Sequence, residues 1–350
     1  MRIGVVGAGV IGQLRSQSIR EHPATKLAAV FDPSATAAAT AVADSGAPAL
    51  TTLASFLDVD MDAVVVSSPV HVHDEACLGA FALGRHVLCE KPLSNTVESC
   101  QRIVDAAKQA DRVLAVGFNL RYYPAIKFVK DTIDSGRIGK LDHLRIFGGH
   151  EGIPKFRSEW EYKAPQSGGG AMMDIGVHMS DLARYLLGEI TEVYGIMSES
   201  VWKVDGSEDN AIAIYRNPAG VYASYHATWT EWKGYQFYIE AYGDLGMVRG
   251  GYAPMQNLLI TQDRPGGPRT TKRLRYPEII VREKLKTWHS TALLSFAGEL
   301  GDFLAMTEGR PSGPLADGYA GLRSVEVAAA VRRSGETREV VHLPALGRMR

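Results

Sequence analysis

A glycine-rich turn between a short apolar strand and a helix constrains the fold of this chain most. Residues 2–6 read Arg-Ile-Gly-Val-Val, which is typical of a buried strand, and Gly7-Ala-Gly-Val-Ile-Gly follows before a helix predicted over 13–21. Glycines at these positions allow a tight turn, close approach of an anion to the backbone, and close packing of helix on strand. The free N–H groups of the helix start favour a phosphate. The pattern predicts a dinucleotide site that includes Gly7, Gly9, Val10, Ile11 and Gly12.

An aspartate at the end of the second strand indicates which dinucleotide binds. The apolar residues 26–31 are followed by Asp32, twenty residues after Gly12. A carboxylate at this place accepts hydrogen bonds from ribose hydroxyls and repels a 2′-phosphate. Residues 33–37 contain no arginine that would bind such a phosphate. We therefore expect NAD as the cofactor, with NADP less favoured.

Strands and helices continue to alternate along the first third of the chain. Apolar strands are predicted over 63–66, 86–89 and 113–116, and they alternate with helices over 52–57, 73–83 and 96–110. Successive strand–helix units predict a doubly wound parallel sheet. We assign residues 1–120 to this dinucleotide-binding domain.

Ligands of such sheets bind at the carboxyl ends of the strands. The loop after residues 63–66 is therefore expected to face the cofactor, with Ser67, Ser68, Pro69, His71 and His73 as candidate contacts. His71 and His73 are candidates for the nicotinamide half. For His73 an equally good interpretation is that it only caps the following helix.

A lysine lies at the end of another buried strand. Residues 84–92 read Gly-Arg-His-Val-Leu-Cys-Glu-Lys-Pro, so Lys91 follows the strand directly. The proline after it disfavours the helical conformation for Lys91, which aims its ammonium group. Alone, a Lys-Pro pair most often marks a strand end. Its place at the ligand-binding edge of the sheet makes Lys91 a candidate for chemistry.

The pattern changes after a linking helix predicted over 119–135. From residue 141, apolar residues recur with period two in seven segments, which predicts a mostly antiparallel sheet. We assign residues 121–350 to this second α+β domain. Helices predicted over 291–307 and 318–333 are expected to pack back on the first domain, residues 262–275 are expected to form a loop, and residues 338–342 a closing strand.

A histidine and an aspartate lie four residues apart behind a glycine-rich stretch. Residues 167–178 read Ser-Gly-Gly-Gly-Ala-Met-Met-Asp-Ile-Gly-Val-His. On a helix Asp174 and His178 share one face. A histidine takes or gives a proton near neutral pH, and a neighbouring carboxylate orients it. The alternative is a capping aspartate and a histidine with a purely structural role.

The composition argues against several classes of function. The chain has 38 Lys and Arg against 39 Asp and Glu, a formal net charge of −1, whereas binding to nucleic-acid phosphates favours a basic excess. No segment approaches about 18 continuous apolar residues, and we expect neither a membrane span nor a signal peptide. The three cysteines, Cys77, Cys89 and Cys100, lack metal-binding spacing. They favour a cytoplasmic protein without a metal site.

Together these motifs resemble those of the Gfo/Idh/MocA oxidoreductase family, named for glucose–fructose oxidoreductase, inositol dehydrogenase and a rhizopine-catabolism protein. The resemblance extends over nearly the full length. It rests on the turn Gly7–Gly12, Ser68-Pro69 with His71 and His73, Glu90-Lys91-Pro92, Gly117-Phe-Asn119-Leu-Arg121-Tyr-Tyr-Pro124 and Gly170-Ala-Met-Met-Asp174-Ile-Gly176-Val-His178. One position departs from the pattern, because many members carry Asn where this chain has His71.

The resemblance implies a Rossmann domain followed by an α/β domain whose open-faced sheet forms homodimers or homotetramers. It implies NAD(P)-dependent oxidation or reduction at a carbinol or ketone carbon of a sugar, cyclitol or related polyol. By their places in the motifs, Lys91, Asp174 and His178 match the catalytic residues and also meet the substrate. Further candidates are Glu90 and Asn119 for the cofactor, and Arg121, Tyr122 and Trp160 for the substrate.

Three hypotheses for function follow. In a dehydrogenase, His178 removes a hydroxyl proton, Lys91 stabilises the developing alkoxide, and NAD takes the hydride. Some relatives of the family are instead NAD-dependent glycosidases, which oxidise a sugar transiently and release it without net NADH. The third hypothesis is a non-catalytic NAD-binding regulator. The joint presence of Lys91, Asp174 and His178 argues against it.

Overall fold

The computed structural model describes residues 1–344. The chain divides into two compact units. The first comprises Met1–Asn119 and Lys286–Val325, and the second comprises Leu120–Leu285 and the described residues from Glu326 onward. Among the described residues, no helix combines the length and apolar content needed to cross a bilayer.

Strands and helices alternate in the first part of the chain, and strands predominate afterwards. Up to residue 140 the elements are β1 (Arg2–Val6), α1 (Val10–Glu21), β2 (Lys26–Phe31), α2 (Ala35–Val42), β3 (Ala49–Leu50), α3 (Leu53–Leu57), β4 (Ala63–Val66), α4 (His73–Ala82), β5 (His86–Glu90), α5 (Val97–Ala110), β6 (Leu114–Gly117) and α6 (Pro124–Asp134). They continue with β7 (Leu141–Gly149), α7 (Ala164–Ser167), α8 (Val177–Leu187), β8 (Glu192–Ser198), β9 (Asn210–Arg216), β10 (Tyr222–Thr228), β11 (Gln236–Gly243), β12 (Gly246–Tyr252), β13 (Gln256–Thr261), β14 (Thr270–Arg275), α9 (Pro277–Lys286), α10 (His289–Thr307), β15 (Ala316–Asp317), α11 (Gly318–Thr337) and β16 (Val341–His342).

The first unit contains a seven-stranded sheet in the order β15-β6-β5-β4-β1-β2-β3. All its pairs are parallel except β15 with β6, which confirms the predicted doubly wound parallel sheet. Its central strands are buried on both faces, as parallel sheets covered by helices require. Helix α10 contributes Leu300 and Phe303 to the core around Ile3, Val65 and Leu88.

The second unit contains a nine-stranded sheet in the order β14-β13-β12-β11-β7-β10-β9-β8-β16. Its pairs are antiparallel except for β10 with β7, which confirms the mostly antiparallel prediction. Burial alternates along the strands. In β9, Ala211, Ala213 and Tyr215 are buried, while Ile212 and Ile214 are about half exposed. One face of the sheet therefore packs inward and the other is open.

Two segments differ from the prediction. Part of the expected loop 262–275 is the edge strand β14, whose residues are almost all exposed. An edge strand rich in Lys and Arg has no apolar alternation to reveal it. The expected helix 119–135 is interrupted: residues 119–122 form a 3₁₀ turn, and α6 begins at Pro124. Proline favours the first position of a helix because it lacks an N–H group.

Candidate active site

The glycine turn of the first unit has the geometry that a pyrophosphate requires. Gly7 has a φ of +90°, and a Cβ there would lie 2.6 Å from the carbonyl oxygen of Ser67. A Cβ on Gly12 would overlap the carbonyl oxygen of Gly7. A Cβ on Gly9 would meet no atom within 4 Å. The first and third glycines are thus required by packing, whereas the space at Gly9 is open to a ligand.

Asp32 is held at the end of β2 by two backbone donors. The N–H of Ala8 donates to Oδ2 at 2.7 Å, and the N–H of Ser34 donates to Oδ1 at 2.8 Å. The contact with Ala8 ties the carboxylate to the glycine turn. Each carboxylate oxygen accepts more than one hydrogen bond, so this anchoring leaves capacity for ribose hydroxyls.

The loop after β4 presents two buried hydroxyl groups. Within residues 1–344, the Oγ atoms of Ser67 and Ser68 have no hydrogen-bond partner. Buried polar atoms are normally hydrogen-bonded. A ligand that brings donors and acceptors to this loop would satisfy both hydroxyls. Pro69 and His71 lie in the same loop and are partly buried.

His73 connects this loop to the one that follows Lys91. It is 1% exposed, its Nε2 lies 2.9 Å from the carbonyl oxygen of Ser68, and its Nδ1 lies 3.1 Å from that of Pro92. Burial lowers the pKa of His73, although the neighbouring carbonyl groups act in the opposite direction. These contacts give His73 a structural role, fixing two loops that end adjacent strands.

Lys91 follows β5 directly, and its Lys91–Pro92 peptide bond is cis. The preceding Glu90 is bound by Arg15, whose Nε lies 2.7 Å from Oε1. Asn119, at the end of the neighbouring strand β6, donates through Nδ2 to Ser295 Oγ at 3.0 Å. The carboxyl ends of β5 and β6 are therefore held by side-chain contacts within the first unit.

These features fit NAD. The open space at Gly9 suits a pyrophosphate, Asp32 suits an adenosine ribose, and the hydroxyls of Ser67 and Ser68 supply polar contacts. When bound, NAD supplies a nicotinamide that accepts or donates a hydride.

In the second unit, Asp174 and His178 lie on one continuous turn of helix. Residues 172–176 form a π-helical turn, and α8 continues from Val177. The predicted helix start is thus confirmed, although its first turn is wider than an α-helix. His178 is 8% exposed and Asp174 has a side chain that is 27% exposed. Such π-turns occur often at functional sites.

The Asp174 carboxylate is oriented by two donors. His150 Nε2 lies 2.6 Å from Oδ2, and Trp229 Nε1 donates to the same oxygen at 3.1 Å. The N–H of Gly152 donates to His150 Nδ1 at 3.0 Å. Since Nδ1 accepts, the ring proton of neutral His150 lies on Nε2, facing the carboxylate. Two donors thus meet at one oxygen and fix the orientation of the Asp174 carboxylate.

Glu208 fixes the backbone that leads into this turn. Its carboxylate accepts from the N–H of Met172 at 2.7 Å and from that of Gly170 at 3.1 Å, and it pairs with Arg332 at 2.9 Å. Burial raises the pKa of Glu208, while Arg332 and the two N–H groups act to lower it. A Cβ on Gly170 would overlap the backbone of Glu208. The glycine-rich lead-in therefore serves close backbone packing.

The three predicted substrate residues that are not catalytic candidates have different environments. Arg121 is 7% exposed, and it donates through Nε to Asp181 Oδ2 at 2.8 Å and through Nη2 to Oδ1. Because Asp181 lies on α8 together with His178, this buried pair supports the helix of the site. Tyr122 and Trp160 are partly buried.

Several residues of the site were not predicted from the sequence. His150, Glu208, Arg15 and Trp229 carry no local motif. One available signal was the position of His150 directly after β7, because strand ends collect functional residues. The others become visible only through contacts between segments distant in sequence.

Comparisons with known proteins agree with this architecture. Residues 1–118 match the profile described as "Oxidoreductase family, NAD-binding Rossmann fold", and residues 126–249 match the GFO/IDH/MocA C-terminal domain. A 1,5-anhydro-D-fructose reductase of Ensifer adhaerens is 35% identical over 194 residues, which are 55% of this chain and 58% of that protein. Inositol 2-dehydrogenase 2 of Saccharopolyspora erythraea is 32% identical over 254 residues, 71% of this chain and 72% of that one.

Among solved structures, a levoglucosan dehydrogenase in complex with NADH and L-sorbose has a TM-score of 0.85, with 24% identity over 99% of both chains. This likeness supports the fold. The two profiles and the inositol dehydrogenase relative also show the family. The chain belongs to the Gfo/Idh/MocA oxidoreductase family and carries its NAD-binding Rossmann domain.

Proposed function

We propose that this protein is an NAD-dependent dehydrogenase or reductase that acts on a CH–OH or C=O carbon of a sugar, cyclitol or related polyol. The proposal is supported by the NAD-binding domain and by the names of the relatives, which act on an anhydro sugar and on inositol. The observation that carries it is the Asp174 carboxylate, which is bound by His150 and Trp229 and lies four residues before His178 on the same helical segment.

Each catalytic residue has one task in the proposed reaction. His178 takes the proton of the substrate hydroxyl. Bound NAD would supply the acceptor for the hydride of the same carbon, so that the overall change would give a ketone, NADH and a proton. Lys91 stabilises negative charge on the reacting oxygen. Asp174 favours the protonated form of His178 and orients its ring. In reduction the same groups act in the reverse sense.

The experiment is a screen for NADH formation with cyclitols, aldoses and anhydro sugars, on wild type and on the variants Lys91→Met and His178→Ala. We expect both variants to lose about two to four orders of magnitude in kcat while NAD still binds. Lys108→Met, on the exposed face of α5, serves as a matched control with unchanged turnover. Wild-type turnover in both active-site variants would refute the assignment, and sugar release without net NADH would favour a glycosidase.

The open face of the second sheet supports a proposal about assembly. Tyr194 and Ile196 of β8 lie beside Ile214 and Ile212 of β9, and all four are 41–56% exposed. A contiguous apolar surface of this kind marks an interaction site. We infer a homodimer or homotetramer formed through this face. Light scattering tests it, because Ile212→Glu should shift the wild-type mass to that of a monomer.

The proposal includes a cytoplasmic location. Cys77 and Cys89 are buried thiols outside any disulfide, which a reducing compartment preserves. Fractionation of cells that express the protein tests this point.

A further inference from the structure

A buried ionic cluster lies at the carboxyl end of β5, the strand that Lys91 follows. Arg15 of α1 contacts Glu90 of β5 and Glu299 of α10. Its Nη2 lies 2.6 Å from Glu90 Oε1 and 2.7 Å from Glu299 Oε2. The guanidinium carbon also lies 3.8 Å from the centre of the Phe296 ring. Three elements thus converge on the residue that precedes Lys91.

The cluster is almost completely removed from water. The side chains of Arg15, Glu90 and Glu299 are 3%, 13% and 1% exposed. Burial disfavours the charge of Arg15, but the two carboxylates outweigh burial and raise the pKa of the guanidinium. Buried ions are often no more stabilising than apolar side chains of similar volume. Their presence at this place therefore points to a role beyond packing.

The cluster also leaves no space for a side chain at Gly117 of the neighbouring strand. A Cβ on Gly117 would lie 2.8 Å from Arg15 Nη2 and 2.9 Å from Glu90 Oε2. Gly117 ends β6, the strand next to β5. The ions therefore occupy the space between the carboxyl ends of two adjacent strands, the edge where ligands of such sheets bind.

We propose that Arg15 and Glu299 are positioning residues for Lys91 and that the Glu299 carboxylate favours the oxidised cofactor at this edge. By holding Glu90, the cluster fixes the end of β5 and hence the direction of the next residue. A buried carboxylate stabilises a nearby cation, and the nicotinamide is cationic only in NAD⁺. This inference rests on the proposed role of Lys91.

The test compares affinities for NAD⁺ and NADH in Glu299→Gln. This change keeps the size of the side chain and removes its negative charge. We expect the ratio of Kd for NAD⁺ to Kd for NADH to rise by on the order of fivefold, a factor at the lower end of those by which one site changes the affinity of another. Because binding is titrated without substrate, the result does not depend on which sugar the enzyme uses.

Two further variants separate positioning from packing. Arg15→Lys keeps the charge but loses the planar guanidinium and the hydrogen bond from its Nε to Glu90, so we expect a lower kcat with little change in the Kd ratio or in KM. Arg85 is an arginine at the opposite end of β5 that binds the carbonyl groups of Leu57 and Val59. Arg85→Met should lower the melting temperature and leave both the ratio and kcat unchanged.

The outcomes are distinct. An unchanged Kd ratio in Glu299→Gln would overturn the electrostatic part, and an unchanged kcat in Arg15→Lys would overturn the positioning part. If Lys91→Met retained full turnover while the ratio still shifted in Glu299→Gln, the proposed role of Lys91 and the positioning part would fail, and the preference for the oxidised cofactor would stand.

Discussion

His150 has two ring nitrogens with separate tasks, and two substitutions separate them. Nε2 donates to Asp174 Oδ2 at 2.6 Å, whereas Nδ1 accepts the N–H of Gly152 at 3.0 Å. In His150→Asn the amide oxygen replaces the acceptor near the backbone, and the donor to Asp174 is lost. In His150→Gln the longer side chain places its NH₂ group toward Asp174, and the acceptor for Gly152 is lost.

The magnitudes follow from these contacts. A hydrogen bond to a charged acceptor contributes about 1.5–3 kcal/mol. If Asp174 must be oriented for catalysis, His150→Asn lowers kcat/KM by about 10- to 100-fold. In His150→Gln the buried N–H of Gly152 loses its acceptor, so the free energy of unfolding decreases by about 1–3 kcal/mol. The donor to Asp174 is kept, so kcat/KM decreases less than in His150→Asn.

The assay is steady-state NADH formation together with urea unfolding of each variant. Trp229→Phe serves as a second probe of the same carboxylate, because it removes the weaker donor at 3.1 Å and keeps an aromatic ring against Phe156. We expect Trp229→Phe and His150→Asn to be non-additive, since both donors bind one oxygen. Wild-type kcat/KM in His150→Asn would refute the reasoning.

Three further predictions concern other parts of the two units. Gly9→Ala should keep the wild-type melting temperature, since its Cβ meets no atom, yet weaken NAD binding by on the order of tenfold, because the methyl group takes space that a pyrophosphate needs; equal NAD affinity in calorimetry would contradict this. Burial lowers the pKa of His73 below its ordinary value of 6.5. As the pH falls, the unfolded chain therefore binds the proton first, and the free energy of unfolding decreases below that pH. Between about pH 7.5 and 5.5, the melting temperature should decrease less in His73→Gln than in wild type. Glu208→Ala leaves the N–H groups of Gly170 and Met172 without their acceptor and should lower the free energy of unfolding by about 2–5 kcal/mol; a urea midpoint equal to that of wild type would exclude this anchoring role.

The parallel sheet was predictable because its signals are local. The strand over 63–66 consists of four apolar residues, and all four are buried. The turn at Gly7 places strand, glycine and helix in consecutive residues. Where a segment is polar except for one residue, as in β14, the same reasoning predicts a loop, because an exposed edge strand gains its hydrogen bonds without any apolar pattern.

The candidate site was predictable only in part, because only some of its contacts join residues that are close in sequence. The spacing of Asp174 and His178 follows from helix geometry, so the sequence reveals it. The contact between Asp174 and His150 joins residues 24 apart, and that between Glu208 and Met172 joins residues 36 apart. No periodicity links such pairs. They depend on which strands become neighbours, which sequence patterns alone leave open.

One strand pairing explains how the two donors reach Asp174. Among the described residues, β7 and β10 form the one parallel pair of the second sheet, in a register that places Gly149 beside Thr228. His150 directly follows β7 and Trp229 directly follows β10. Both side chains therefore lie at the same end of the sheet, with ring centres 6.4 Å apart. Antiparallel pairing would send them to opposite ends of the sheet. A slip of one residue in either strand would turn one ring to the other face. The parallel pair is thus the feature of the fold that brings both donors to the Asp174 carboxylate.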